Sequence, residues 1–306
     1  MRRAFAQTLT TLADEDPRLV FITGDLGFQV LDDFKQKYPK RYINAGVAEA
    51  QMISLAAGMA AEGFRPVAYS IASFATARPF EQIRYCIAYH NLPVLLVGAG
   101  RGYLYSTSGV SHHAADDLAL MSVLPNMTVV APGDAVELAT LLPAILRQGR
   151  PAYMSVGKYG EPTYVAEEPP VLGKARRIKS GERLAILSTG ELANEVVKAL
   201  ELLRIEGITP LAYQFHTVKP LDLDLLTKLA REMHTIIVLE EHVPVGGLWA
   251  QICSFYAERG TSPRLKRLGA PDQFALGNLK QADLRKKLGI DAEALIKICR
   301  ECWSTI

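Results

Sequence analysis

Short apolar segments alternate with helical patterns along the first half of the chain. Leu19–Thr23 is a short apolar run of the kind that parallel sheets bury on both faces. Comparable runs recur as far as Ala152–Val156, and the residues between them repeat their apolar positions with helical spacing. This alternation predicts a parallel sheet with helices on both faces. The predicted elements are a helix at 3–13 and strands at 19–23, 41–44, 66–70, 93–98, 127–131 and 152–156.

The same alternation returns in the second half, after a change of composition. Between residues 161 and 181 the chain is rich in proline and glutamate and then basic, which indicates a domain boundary. The elements predicted after it are strands at 184–188, 209–214, 235–239 and 264–268, helices after Ala193, Asp222 and Gly247, and a helical tail from Asp291.

These patterns predict an α/β fold class with two domains, each a mostly parallel sheet flanked by helices. We place the first domain at residues 1–165, a linker at 166–182 and the second domain at 183–306. In such sheets, ligands bind outside the carboxyl ends of the strands. The candidate positions are therefore Asp25, the turn at 44–49, residues 70–74 and the loop after Gly98.

Length and composition exclude several classes of function. The chain has 306 residues, 49% hydrophobic and 22% charged, which is enough for two ordinary globular cores. Its formal net charge of +2 comes from scattered lysines and arginines, so we expect no nucleic-acid or membrane partner. The first residues are too polar for a signal peptide, and no apolar run reaches the length of a membrane span. We therefore expect a cytoplasmic protein.

The four cysteines do not show the spacing of a metal site. Only Cys299 and Cys302 resemble a Cys-x-x-Cys pair, and they lie in an apolar-periodic segment at the C-terminus. We interpret them as thiols on a terminal helix. Nothing in their arrangement requires an oxidising compartment.

The segment after the second predicted strand places one carboxylate in an apolar helix. From Gly46 to Met59 nearly every residue is apolar or small, which predicts a helix buried on all sides. Glu49 is the exception. The helix dipole favours an acid in the first turn, but a buried carboxylate needs a hydrogen-bonding partner. We therefore expect Glu49 to have a specific role.

The other residues near the strand ends leave two interpretations open. The chain has no Gly-x-Gly-x-x-Gly or Gly-x-x-x-x-Gly-Lys-Ser/Thr nucleotide motif and no cluster with metal-ligand spacing. It does have aromatic residues after the third strand and a Gly-, Ser- and Tyr-containing loop that leads to His112 and His113. From residue types alone, this is either half of a ligand pocket or a purely structural arrangement.

Several motifs follow one another along the chain in a characteristic order. They are Gly24-Asp25-Leu26, Gly46-Val47-Ala48-Glu49, the segments 74–84, 124–134 and 215–221, and Glu240-Glu241-His242. Their order and spacing resemble the C-terminal part of transketolase. The resemblance covers essentially the whole chain and implies a pyrimidine-binding domain followed by a transketolase C-terminal domain. The diphosphate-binding motif of the family is not found in the chain, so the resemblance implies one subunit of a split transketolase.

The resemblance implies a role for Glu49 in both catalysis and cofactor binding. In the family, the glutamate at this position hydrogen-bonds N1′ of the aminopyrimidine ring of thiamine diphosphate, which activates thiazolium C2 as a nucleophile. A dry helix suits this task, because the hydrogen bond is stronger away from water. The alternative is a Glu49 paired with an arginine at a subunit interface.

Three further residues are implied in cofactor binding. Phe74 matches the family's aromatic residue that stacks on the pyrimidine ring, although a core phenylalanine is the alternative. Ile71 lies where transketolases usually place another aromatic wall residue. Asp25 matches an aspartate near the cofactor and the dimer interface, although a turn-forming aspartate fits nearly as well.

The substrate residues implied by the resemblance are Ser108, His112 and Lys158. His112 matches the family histidine that reaches the substrate and can transfer protons, the alternative being a solvent-facing histidine at a helix start. Ser108 replaces an aspartate that binds a sugar hydroxyl. Lys158 replaces a phosphate-binding arginine and lacks its bidentate geometry.

These replacements indicate an acceptor that differs from an ordinary sugar phosphate. Gly100 lies approximately where the family has a phosphate-binding histidine, and Tyr103 and Tyr105 add aromatic rings to the same loop. We expect a wider or differently shaped acceptor, such as a modified, nucleotide-linked or unphosphorylated sugar.

The resemblance implies an enzyme that transfers a two-carbon ketol unit from a ketose donor to an aldehyde or ketone acceptor. The expected cofactors are thiamine diphosphate and Mg²⁺, with the metal ligands on an N-terminal diphosphate-binding partner subunit. Two chains of each kind are expected to form a heterotetramer. Two alternatives remain open at this point: the beta subunit of a 2-oxo acid dehydrogenase decarboxylase component, which the Gly98 to Gly102 segment favours, and a scaffold without activity.

Overall fold

The computed structural model describes residues 1–27, 29–158 and 160–305. They form an α/β fold with two mostly parallel sheets, which confirms the predicted fold class. The strands are β1 (Leu19–Thr23), β2 (Tyr42–Asn44), β3 (Arg65–Ile71), β4 (Leu95–Ala99), β5 (Thr128–Val130), β6 (Ala152–Val156), β7 (Arg176–Lys179), β8 (Leu184–Ser188), β9 (Leu211–Gln214), β10 (Thr217–Lys219), β11 (Thr235–Glu240) and β12 (Arg264–Gly269).

Helices connect most of these strands. They are α1 (Arg2–Glu15), α2 (Asp32–Lys37), α3 (Glu49–Ala61), α4 (Ala72–Thr76), α5 (Phe80–Gln82), α6 (Asp117–Ser122), α7 (Ala135–Gln148), α8 (Ala193–Ile205), α9 (Leu223–Glu232), α10 (Leu248–Arg259), α11 (Gln281–Leu288) and α12 (Ala292–Trp303). A π-helix, Ile83–Tyr89, continues α5. In the part of the chain that the structure describes, no helix has both the length and the apolar composition needed to cross a membrane.

The first sheet has the order β2-β1-β3-β4-β6-β5-β10. All of its pairs are parallel except the last, in which β10 runs antiparallel to β5. The sequence does not predict β10, because a short segment that ends in lysine and proline lacks the apolar run of a buried strand. The second half of the chain thus supplies the edge strand of the first sheet.

The second sheet has the order β12-β11-β8-β9-β7, with β7 antiparallel to β9. β7 lies within residues 166–182, which the sequence analysis assigns to a linker, and it forms an edge strand of this sheet. Its sequence, Arg-Arg-Ile-Lys, does not resemble a buried strand, although Arg176 and Ile178 are buried and only Lys179 is exposed. α11 is also absent from the sequence prediction, whereas each predicted strand is present with ends that differ by at most two residues.

The side-chain alternation of β1 illustrates the three layers of the first domain. Leu19 and Phe21 pack with α1 and α7 on one face of the sheet, whereas Val20 and Ile22 pack with α3 on the other. Both faces therefore bury apolar side chains, and the strand is apolar without interruption until Thr23.

The prediction that α3 is buried on all sides is wrong for this chain. Its buried face includes Glu49, Met52, Ile53 and Ala56, but small residues on the opposite face, such as Ser54 and Gly58, are exposed. Small side chains add little apolar surface, so they can face water at low cost and the sequence pattern does not distinguish the two environments.

Two glycine-to-alanine substitutions should have opposite effects on stability. In Gly98→Ala, the new carbon would lie 2.3 Å from Tyr153 Oη and 2.9 Å from Ala72 Cα. We expect this crowding to lower the free energy of unfolding by about 1–3 kcal/mol. In Gly58→Ala, no atom outside the helix backbone lies within 4 Å of the new carbon, so we expect a gain of about 0.5–1 kcal/mol.

Chemical denaturation of the unchanged chain and both variants measures the two effects. If both variants lost the same free energy of unfolding, the close packing of β4 against α4 at Gly98 would not be the cause, and the described contact would be contradicted.

Candidate functional site

The predicted site residues lie at the carboxyl edge of the first sheet. Ile71 ends β3, Lys158 follows β6, and the site loop, residues 100–114, follows β4. Glu49 begins α3 after the turn that follows β2, and Asp25 follows β1. Parallel strands bring these positions to one edge, as the alternating pattern predicts.

Glu49 is buried and paired with an arginine of its own chain. Its side chain is 3% exposed, and Arg78 Nη1 donates to Oε2 at 3.0 Å and to Oε1 at 3.2 Å. Ser70 Oγ donates to Oε1 at 3.5 Å. The buried carboxylate predicted from the sequence is therefore present, and its partner in this structure is Arg78 of the same chain rather than an arginine at a subunit interface.

Arg78 also stacks on Phe74. The guanidinium carbon lies 3.8 Å from the centroid of the Phe74 ring, a distance typical of a cation over an aromatic face. Phe74 belongs to α4, and Arg78 follows the helical residue Ala77 that ends it. Residues four apart on a helix are neighbours, so the Phe74–Arg78 spacing is the sequence signal that could have identified this contact.

The arrangement of Glu49 and Phe74 fits an aminopyrimidine ring. Arg78 presents a planar, nitrogen-rich group whose face contacts Phe74 and whose N–H donates to Glu49. A planar heterocycle with a protonated ring nitrogen can make the same two contacts. The side chain of Arg78 is 48% exposed, so it can withdraw towards solvent without disturbing the core.

His112 also contacts the Phe74 ring. It ends a 3₁₀ turn, Val110–His112, and its ring centroid lies 4.9 Å from that of Phe74 in an edge-on contact. Burial lowers the pKa of His112 below its ordinary value, and the positive charges of Arg78, His113 and Lys158 lower it further. The imidazole is therefore neutral at neutral pH and can both donate and accept a hydrogen bond.

The Tyr105 ring contacts both Lys158 and His112. Lys158 Nζ lies 3.8 Å from the centroid of the Tyr105 ring, and that ring lies 5.8 Å from the His112 ring. A side-chain carbon at Gly100 would lie 2.0 Å from a ring carbon of Tyr105. Any other residue at Gly100 is thus incompatible with the observed position of Tyr105.

The remaining predicted residues lie at the margin. Asp25 is exposed and has a positive φ of 56°. Its backbone N–H donates to Asn44 Oδ1 at 3.1 Å, and Asn44 Nδ2 donates to Asp25 Oδ1 at 2.9 Å. Ile71 is half-buried at the start of α4. Ser108 is exposed, and its backbone N–H donates to Tyr105 O at 2.8 Å.

The second domain holds the site loop in place. Glu241, which follows β11, accepts hydrogen bonds from the backbone N–H of Tyr103 at 2.7 Å and from Gln281 Nε2 at 3.0 Å. Arg285 pairs with the same carboxylate. Glu241 belongs to one of the motifs that carry the family resemblance, but its contact with the site loop is not evident from the sequence, because the two segments lie far apart in the chain.

The described residues contain no group of three or more His, Cys, Asp or Glu side chains arranged to hold a metal ion. The site at this edge is therefore a surface with a buried carboxylate, an aromatic face, a neutral imidazole and two cations.

Comparisons with known proteins test the family resemblance. The transketolase pyrimidine-binding domain matches residues 1–159, and the transketolase C-terminal domain matches residues 173–295. A putative transketolase C-terminal section from Methanocaldococcus jannaschii is 33% identical over 97% of this chain and 94% of its own length. One of the subunits of an apulose-4-phosphate transketolase from Phocaeicola vulgatus is 31% identical over 98% and 96%, respectively.

Longer relatives and solved structures also match. The chain spans about half the length of related 1-deoxy-D-xylulose-5-phosphate synthases, such as the one from Aquifex aeolicus, which is 35% identical and of which 47% is covered. A solved structure of a split gene transketolase, described as an inactive beta4 tetramer, has a TM-score of 0.90 at 30% identity and covers 99% of this chain and 98% of that one. The resemblance stated from the motifs is confirmed: the chain belongs to the transketolase family of transferases and contains its pyrimidine-binding and C-terminal domains.

Proposed function

We propose that this chain is one subunit of a split, thiamine-diphosphate-dependent transketolase. The reaction is transfer of a two-carbon ketol unit: the C2–C3 bond of a ketose breaks, a shortened aldehyde leaves, and a new carbon–carbon bond forms at the carbonyl carbon of the acceptor. The observation that carries the proposal is the buried Glu49 carboxylate beside the face of Phe74, already contacted by a planar cation.

Four residues of the chain would hold the pyrimidine end of the cofactor. Glu49 would accept a hydrogen bond from the ring, Phe74 would stack on it, Ile71 would form an apolar wall, and Asp25 would lie near its margin. Thiamine diphosphate supplies the carbon nucleophile when it is bound. The first turn of α3 places Glu49 at the positive end of the helix dipole, and its burial excludes water that would compete for the hydrogen bond.

His112 would exchange protons with a substrate hydroxyl. Its ring lies within reach of the Phe74 face, where the reacting end of a substrate would meet the cofactor. The lowered pKa keeps it neutral, so it can accept a proton as the donor bond breaks and return it as the acceptor bond forms.

Lys158 and Tyr105 support an acceptor other than an ordinary sugar phosphate. The lysine ammonium faces the Tyr105 ring, and a lysine offers a point charge rather than the paired donors of arginine. We propose a modified or nucleotide-linked sugar as acceptor, with Ser108 as a further polar contact. The Phocaeicola vulgatus relative is named for apulose-4-phosphate, which is consistent with varied sugar substrates among such subunits.

The partner subunit is expected to supply the diphosphate and Mg²⁺ sites. The exposed face of α3, with Ser54 and Gly58, lies next to exposed Tyr85 and Tyr89 of the π-helix, and this surface suits a protein partner. We propose a heterotetramer of two chains of each kind. The domain bounds at 165 and 183 and the cytoplasmic location stay predictions.

Replacing the carboxylate of Glu49 should abolish transfer while the fold survives. With the partner subunit, Mg²⁺ and thiamine diphosphate present, we expect Glu49→Gln to lower kcat by at least about 100-fold, since an amide is a weaker acceptor and proton-transfer roles are worth about 10²–10⁴. Aldehyde release from a ketose donor measures the loss, and circular dichroism checks the fold.

The control is Glu81→Gln, which removes an exposed carboxylate paired with Arg84 and should leave kcat unchanged. Full activity in Glu49→Gln would overturn the proposal. Turnover of a 2-oxo acid but not of a ketose would instead favour the decarboxylase component.

The pKa of His112 should rise when its neighbouring cations are removed. We expect Arg78→Met to raise it more than Lys158→Met, because Arg78 has the larger effect of the two. Lys198→Met, which removes a cation paired with Glu195 in the second domain, should leave it unchanged. A pH titration followed by the NMR signals of the His112 ring measures its pKa in all three variants. An unchanged or lowered pKa of His112 in Arg78→Met would contradict the described site.

A further inference from the structure

Arg78 occupies the position between Glu49 and Phe74 that a cofactor ring would require. Its Nη1 atom lies 3.0 Å and 3.2 Å from the two oxygens of Glu49, and its guanidinium carbon lies 3.8 Å from the Phe74 ring centroid. Both contacts are made by one planar group. A ring that hydrogen-bonds Glu49 while stacking on this face of Phe74 cannot bind while that group is in place.

The two partners of this ion pair differ in their freedom to move. The Glu49 side chain is 3% exposed and is fixed at the start of α3, whereas the Arg78 side chain is 48% exposed. Arginine has a long, flexible stem, and its charged end can leave the site for water without crossing the core. Arg78 is thus the exchangeable partner and Glu49 the fixed one.

We propose that Arg78 is a placeholder that closes the pyrimidine site until the cofactor ring displaces it. The inference rests on the proposed function, because it concerns the same site. While no ring is bound, Arg78 satisfies the Glu49 carboxylate and covers the Phe74 face. On binding, the ring takes over both contacts and Arg78 withdraws towards solvent.

A placeholder of this kind weakens the apparent affinity for the cofactor. The observed Kd is the intrinsic Kd divided by the fraction of molecules in which the site is open, so a placeholder seated about 90% of the time raises it about tenfold. Removal of Arg78 should therefore tighten binding. An arginine that instead contacts the bound cofactor would have the opposite effect, because its removal would weaken binding.

Calorimetric titration of the complex with thiamine diphosphate separates these two roles. The samples are the full chain assembled with its diphosphate-binding partner and Mg²⁺, as the unchanged protein, Arg78→Ala, and the matched control Arg84→Ala. Arg84 lies six residues further along and pairs with exposed Glu81. We expect Kd to fall about three- to tenfold in Arg78→Ala and to stay unchanged in Arg84→Ala.

Guanidinium provides a second measurement that does not depend on activity. At about 10 mM, far below denaturing concentrations, guanidinium ion should compete with thiamine diphosphate in Arg78→Ala and restore the weaker Kd of the unchanged protein. Urea, which is planar but uncharged, should not compete.

Arg78→Lys keeps the charge without the planar group and should give an intermediate Kd. It replaces Arg78→Ala in the titration if the alanine variant fails to assemble.

Unchanged or weaker binding in both Arg78 variants would overturn the placeholder while leaving the proposed function intact. If the unchanged complex binds no thiamine diphosphate, both proposals fail.

Discussion

Removing the Glu49 carboxylate from water costs on the order of several kcal/mol unless donors replace the lost hydration. Its position in the first turn of α3 offsets part of this penalty, because the positive end of the helix dipole is directed towards it. Ser70 and Arg78 supply donors for the rest. The local structure thus creates a fixed negative charge next to an aromatic face, and the other side chains of the site are arranged around that charge.

The rigidity of this arrangement depends on contacts from distant parts of the chain. β10 of the second half completes the first sheet, and Glu241 accepts the backbone hydrogen bond that fixes Tyr103 in the site loop. Addition of a side-chain carbon at Gly102 would place it 2.9 Å from the Glu241 side chain, so the two segments pack closely. The position of the site loop is therefore set by the second domain, although the carboxylate itself lies wholly in the first.

The sequence predicts the parts of this structure that have a strong local signal. Apolar runs such as Leu19–Thr23 predict buried strands, and one acid in an apolar helix predicts the buried Glu49. The short polar strands β7 and β10 have no such signal, because edge strands need few apolar residues. The Arg78 contact could be anticipated only by combining the helical spacing of Phe74 and Arg78 with the need of a buried carboxylate for a cation. Whether an arginine or a cofactor ring contacts Glu49 depends on packing between distant residues, which no local sequence pattern shows.

The two ends of the site differ in how tightly their residues constrain one another. At the end proposed for the cofactor, Glu49, Phe74 and Arg78 form one connected set, so a change in any of them alters the contacts of the other two. At the end proposed for the acceptor, Tyr105 fills the space that a side chain at Gly100 would need, and it also lies beneath the Lys158 ammonium. The His112 ring contacts both Phe74 and Tyr105, so it joins the two ends through ring contacts rather than through the carboxylate. Substitutions at Tyr105 or Lys158 can therefore change the shape and charge of this end of the site while Glu49 keeps its environment.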